Sequence, residues 1–137
     1  MKKCIAFYLC LTLTTLSLGW SQEKTDSSYT LFIFEGSDWC HNCIRLEKNI
    51  LSTSNFQEFI QTKKIELELI DFPQRKKLAA DIIAYNARIA EQYQFKGVYP
   101  TLILVNRKSG QHVEIDYSND DSTSLIAKLE NQKGIWD

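Results

Sequence analysis

Proline and glycine are scarce, two and five among 137 residues, too few for a collagen-like or disordered chain. An excess of one charge is missing too. Sixteen basic against 17 acidic residues leave a formal net charge of −1, so no global polycation is available for nucleic acid. Histidine is limited to His41 and His112. His41 lies inside a cysteine motif, and a tetrahedral zinc site there would still lack ligands, so no metal is expected. The chain holds no Gly-rich phosphate loop and no Ser/His/Asp arrangement. It also holds no apolar run of the roughly 20 residues that a membrane-spanning helix requires. What is present is hydrophobic, 44% of the residues, enough for one compact domain, while the length is too short for two.

The N-terminus reads as an export signal. Lys2 and Lys3 precede an apolar stretch from Ile5 to Leu18, and Gly19-Trp20-Ser21 places small residues where a signal peptidase inspects the chain. No cysteine follows small residues at the end of the run, which argues against a lipoprotein signal. The expected organisation is a cleaved signal peptide over 1–21, a polar tether over 22–28 and one domain over 29–137. The protein would be periplasmic; a secreted protein, or one anchored by an uncleaved segment, is the alternative. Cleavage leaves 14 basic against 17 acidic residues, a net charge of −3.

Cleavage also removes Cys4 and Cys10 and leaves Cys40 and Cys43, three apart. Structural disulfides of exported proteins stabilise most when they close long loops, and a Cys-x-x-Cys bridge closes almost none. Such a pair is better explained by chemistry than by stability.

Periodicity supplies the frame. Tyr29–Phe34 is aromatic and β-branched, a buried strand. Gly36-Ser37-Asp38 breaks it, and from Cys40 the positions Cys43, Leu46 and Ile50 trace a helical face. Ser52-Thr53-Ser54 supplies a stop and a new cap before Phe56, Phe59 and Ile60. Ile65–Asp71 alternates as a strand with one wet face. The longest helix is expected from about Lys77 to Tyr93, with Leu78, Ile82, Tyr85, Ile89 and Tyr93 inward and Gly97 as its stop. Thr101–Val105 and His112–Ile115 form a hairpin around 106–110. A last helix starts near Asp121-Ser122, with Leu125, Ile126 and Leu129 inward. A helical crossover makes the first two strands parallel, and the hairpin is antiparallel. The fold class is therefore α/β, a mixed four-stranded sheet with helices on both faces. The cysteine pair falls where the first strand hands over to its helix, the usual place for a site in an open α/β sheet.

The run Phe34-Glu35-Gly36-Ser37-Asp38-Trp39-Cys40-His41-Asn42-Cys43 resembles the active-site segment of the thioredoxin superfamily. Gly97-Val98-Tyr99-Pro100-Thr101 is similar to the cis-proline loop of that fold. The nearest likeness is to small exported bacterial thioredoxin-like proteins with Gly-Ser-Asp-Trp-Cys-x-x-Cys and an Asp-Phe-Pro after the second strand, here Asp71-Phe72-Pro73. The resemblance covers nearly all of the mature chain. It implies a thioredoxin fold and a thiol–disulfide oxidoreductase whose only redox group is its own Cys40–Cys43 pair, with no added cofactor. It further implies a cis peptide before Pro100, with the Tyr99 backbone pairing with an extended substrate strand and the Tyr99 side chain selecting among substrates. The partners are protein thiols and disulfides and a recycling redox protein, which could be membrane-bound; the protein is expected to be a monomer.

Physical chemistry divides the roles. Cys40 at a helix N-terminus is favoured as thiolate and attacks; Cys43, one turn later and inward, resolves the mixed disulfide. Trp39 offers an apolar platform to a substrate chain. His41 and Asn42 are the variable pair, and a protonated His41 would stabilise the Cys40 thiolate and make the couple more oxidising. In one respect the chain departs from thioredoxin: the buried Asp six residues before the first cysteine is replaced by Phe34. Glu35 points to the opposite strand face and does not inherit that role by position. Haem attachment is excluded because Ile44 stands where Cys-x-x-Cys-His needs histidine. Arg75-Lys76-Lys77 reads as a solvated face. Two other classes compete with the oxidoreductase: a module that binds clients along Tyr99-Pro100 without turnover, and an electron relay to one dedicated partner.

Overall fold

A computed structural model describes residues 27–136. The expected signal peptide and most of the tether lie outside the described residues. Ser28 is already bound to the sheet: its N–H donates to the Lys64 carbonyl (3.2 Å), and its carbonyl accepts from Arg107 N–H (3.0 Å).

Four strands, β1 (Tyr29–Glu35), β2 (Ile65–Asp71), β3 (Thr101–Asn106) and β4 (His112–Ile115), form one sheet in the order β2-β1-β3-β4. β1 and β2 are parallel, with Glu35 in register with Asp71. β3 runs antiparallel to both β1 and β4. This is the mixed sheet that the element order implied, with β2 and β4 at its edges.

Alternation along β1 splits the core in two. Leu31 and Ile33 pack with Leu102, Leu104, Leu125 and Leu129 on one face. That face is covered by α1 (His41–Leu46), α2 (Ser54–Thr62) and α4 (Ser122–Trp136). Phe32 and Phe34 pack with Ile70, Ile103 and Ile89 on the other face, under α3 (Ala80–Gln92).

Two helices depart from expectation. After α1 the chain continues through a π-helical turn, Glu47–Leu51. The wider turn brings consecutive residues Ile50 and Leu51 both into the core, where 3.6-residue spacing accounts only for Ile50. The Thr53 hydroxyl, expected as a cap for α2, instead donates back to the Ile50 carbonyl at 2.6 Å.

The helix expected to be the longest, α3, begins at Ala80 rather than Lys77 and has 13 residues against 15 in α4, and Ile82 is 45% exposed instead of facing the sheet. Asn86 takes a buried position, because its Nδ2 donates to the Asp71 carbonyl at 2.8 Å. The helix stops before Gly97. Gln94 adopts a left-handed φ of 53°, and Phe95 N–H closes back on the Ala90 carbonyl at 2.8 Å, a Schellman-type end whose apolar residue, Phe95, joins the core.

Candidate active site

Cys40 and Cys43 are joined as a disulfide across a Cα separation of 5.3 Å. The chain turns into α1 because Trp39 N–H and Cys40 N–H both donate to the Gly36 carbonyl. Cys40 is the N-cap of α1, and its sulfur accepts from Cys43 N–H at 3.2 Å. On reduction the same donor and the helix N-terminus face a Cys40 thiolate, which they favour over the thiol. In the disulfide Cys40 is 7% exposed, against 1% for Cys43.

Each residue of Gly36-Ser37-Asp38-Trp39 has a structural task. At Gly36 a Cβ would stand 2.3 Å from the Trp39 indole, so only glycine lets that ring lie across the backbone. Ser37 donates twice to Asp71, from N–H (2.9 Å) and from Oγ (2.8 Å). Asp38 accepts from the backbone N–H groups of Gln74, Arg75 and Lys76 at 2.8–2.9 Å. Trp39 Nε1 donates to the Phe72 carbonyl at 2.9 Å. The two sequence motifs are thus laced together, and the redox loop is fixed on the connection between β2 and α3.

Trp39 meets Tyr99 edge-on at 5.2 Å, which brings the Tyr99-Pro100 segment to the redox loop. The peptide bond between Tyr99 and Pro100 is cis. Tyr99 rests on Phe95 (5.1 Å) and Phe72 (6.0 Å), and Phe95 stacks on Phe34 at 4.5 Å. An aromatic column therefore runs from the core to Tyr99, whose hydroxyl is pushed up in pKa by burial. His41 and Asn42 are both exposed on the first turn of α1.

On the opposite face of β1 lies a group the motif reading discounted. Glu35 is only 6% exposed. It shares a cleft of about 270 Å³ with Cys43, whose rim carries Ile44, Leu69 and Lys48. Burial, then the carboxylates of Asp71 and Glu47, push the Glu35 carboxyl up to about 7, against the pull of Lys76. Asp71 behaves oppositely. Burial works to raise it, but the Lys76 ammonium at 2.7 Å and the two Ser37 donors hold its carboxyl below the usual range. The signal for Glu35 was present in the strand parity: it shares a face with Leu31 and Ile33, the face that carries α1. Counting positions back from the cysteine pointed to Phe34, which faces α3.

Among the described residues, no group of three or more His, Cys, Asp or Glu side chains could hold a metal. No helix among them is long and apolar enough to cross a membrane.

No protein-family model matches the chain. It is 26% identical over 109 residues to the disulfide bond reductase DsbH of Chlamydia pneumoniae, a match covering 80% of this chain and 64% of that protein. The chain thus spans less than two thirds of the length of this curated relative. A solved structure described as a DsbH oxidoreductase superposes with a TM-score of 0.70 at 25% identity, covering 79% of this chain and 74% of that one. A thioredoxin from Thermus thermophilus superposes with a TM-score of 0.52 at 15% identity, covering 77% and 73%. The fold is the thioredoxin fold.

Proposed function

We propose that this chain is a thiol–disulfide oxidoreductase that exchanges disulfides with proteins outside the cytoplasm through Cys40-His41-Asn42-Cys43. The observation that carries the reading is the position of the pair. Cys40 caps a helix with its sulfur on a backbone donor, and Cys43 opens onto a cleft containing a buried carboxyl. An inert bridge requires neither feature. In the reducing direction the Cys40 thiolate attacks one sulfur of a client disulfide, forms a mixed disulfide and expels the client's other sulfur as thiolate. Cys43 then gives its proton to Glu35, attacks Cys40 Sγ and releases the second client thiolate. Two electrons pass from the dithiol to the client, and the Cys40–Cys43 bond is restored. A carboxyl with a pKa of about 7 is suited to accept a proton near neutral pH and return it to solvent.

The reducing direction is supported by the name of the relative, a disulfide bond reductase. Trp39 and the Tyr99-Pro100 edge receive the client chain, His41 tunes the couple, and a separate redox protein recycles the pair. The chain needs no other cofactor. Insulin reduction by the purified protein, compared with Cys40→Ser, tests the activity, and a glutathione titration of the couple tests its direction. Equal rates for the two proteins would overturn general oxidoreductase activity and leave the client-binding module and the dedicated electron relay.

A further inference from the structure

Arg75-Lys76-Lys77 is a run of three basic residues in a chain of formal net charge −1, and all three are exposed, as a solvated face requires. A groove of about 430 Å³ opens beside it, walled by Phe72, Pro73, Leu78 and Ile83, with Lys76, Lys77 and the Asp71 carboxylate also in its lining. Lys76 is paired with Asp71, while Arg75 and Lys77 are exposed. Ile83 is 55% and Ile82 45% exposed on the adjoining first turns of α3, large apolar surface turned away from the sheet. The groove is held open by the redox loop itself, because Asp38 fixes the N–H groups of 74–76. It is also continuous with the site. Phe72 forms one wall, accepts the Trp39 indole N–H at its carbonyl and carries the Tyr99 ring.

We propose that this groove is a client subsite: it takes one apolar side chain of the protein whose disulfide is exchanged, next to a carboxylate that Lys77 attracts. The inference rests on the oxidoreductase reading and names the class of client it prefers. Phe72 links the groove to Trp39 and Tyr99, so the same docked segment offers a cysteine to Cys40 and an anchor to Ile83. Burying one leucine-sized side chain is worth enough to discriminate clients on the order of tenfold. Lys76 is held by Asp71, so the exposed Lys77 in the lining sets the sign of the neighbouring client residue.

The test uses disulfide-linked peptides that differ only in a Leu-Asp or a Ser-Asn pair, scanned along both flanks of the cysteine. The second-order rate at which each oxidises the reduced protein is read by quenching and mass spectrometry. In its best register, the Leu-Asp peptide should react about tenfold faster with the wild type. Ile83→Ser and Lys77→Glu, both at exposed positions, should each reduce that preference to about twofold or less, with oxidation by the uncharged bis(2-hydroxyethyl) disulfide unchanged. The proposal is overturned if no register is preferred, or if the preference survives both substitutions. It is also overturned if the protein dimerises and Ile83→Ser abolishes the dimer, since the groove then serves a second copy. Failure of the oxidoreductase reading looks different: peptides and bis(2-hydroxyethyl) disulfide alike would oxidise the wild type no faster than they oxidise Cys40→Ser.

Discussion

Phe34 and Glu35 are neighbours at the end of β1, yet they meet opposite surroundings. Phe34 is wholly buried under α3 and stacks on Phe95, the foot of the aromatic column that ends at Tyr99. Glu35 is nearly as buried, but its cleft also holds Cys43, and its register partner is a second carboxylate, Asp71. In the proposed reaction one face of the strand would set the shape that a client meets, and the other would hold the proton acceptor in the cleft of the thiol that must lose its proton. Recognition and proton transfer would then lie on opposite sides of a single strand, so a change on one side need not disturb the other.

The largest effect should fall on the cysteines, where both faces converge. Cys40→Ser should bring turnover down to the uncatalysed rate, whereas Cys43→Ser should accumulate mixed disulfides visible on non-reducing gels. Faster alkylation of Cys43 than Cys40 in the reduced protein would reverse the assignment. Phe34→Ala comes next, with an expected loss of about 3–5 kcal/mol for emptying a packed aromatic position. Chemical denaturation reads the loss, and an unchanged Cys40 alkylation rate in the same variant would sharpen the separation of the faces.

Glu35→Gln tests the other side, and its sign follows from linkage. In the fold the carboxyl keeps its proton up to about pH 7, while in the unfolded chain it ionises near 4.5. The folded state therefore binds more protons across that window, and stability falls as pH rises through it. Above pH 7 the cost is on the order of 3 kcal/mol. Glu35→Gln should remove this decline, making the variant the more stable protein at pH 8 and nearly equal to wild type at pH 4. It should also slow resolution of the mixed disulfide. Parallel stability–pH curves for the two proteins would break the comparison.

The smallest effect is expected at His41, which is exposed and water-screened on α1. His41→Ala should raise the Cys40 pKa slightly and make the potential more negative by no more than about 30 mV, a tenfold change in the equilibrium constant. A thiolate absorbance titration paired with a glutathione titration measures both. A shift larger than that from Glu35→Gln would move redox control from the buried face to the exposed turn.

Where hydrophobic period alone decides, the sequence was readable: Tyr29–Phe34 as a buried strand, Cys43, Leu46 and Ile50 as one helical face, Leu125 and Leu129 as another. The parallel and antiparallel pairings followed from connection lengths. The details that depend on hydrogen bonds across the chain were not readable. Asn86 is polar, so no periodicity places it inside; the Asp71 carbonyl does. Lys77-Leu78-Ala79 looks helical, but the preceding 74–76 backbone is tied to Asp38 and α3 starts only at Ala80. Cys40, Cys43 and Trp39 stood out through their spacing. The roles of Ser37 and Asp38 did not, since their partners lie more than thirty residues away.

The outer edge of the sheet has a bearing on solubility. β2 is an edge strand of seven residues, and among the described residues no strand pairs with its outer side, the geometry that invites one chain to zip onto another. Glu66 and Glu68 interrupt its apolar residues and are held in place by Arg107 and Tyr85. Ion pairs at such exposure add little to folding. Their weight falls on the crowd rather than the single molecule: with both glutamates made valine, 65–70 would become an uncharged, β-prone run on an open edge, and the protein would aggregate while still able to fold.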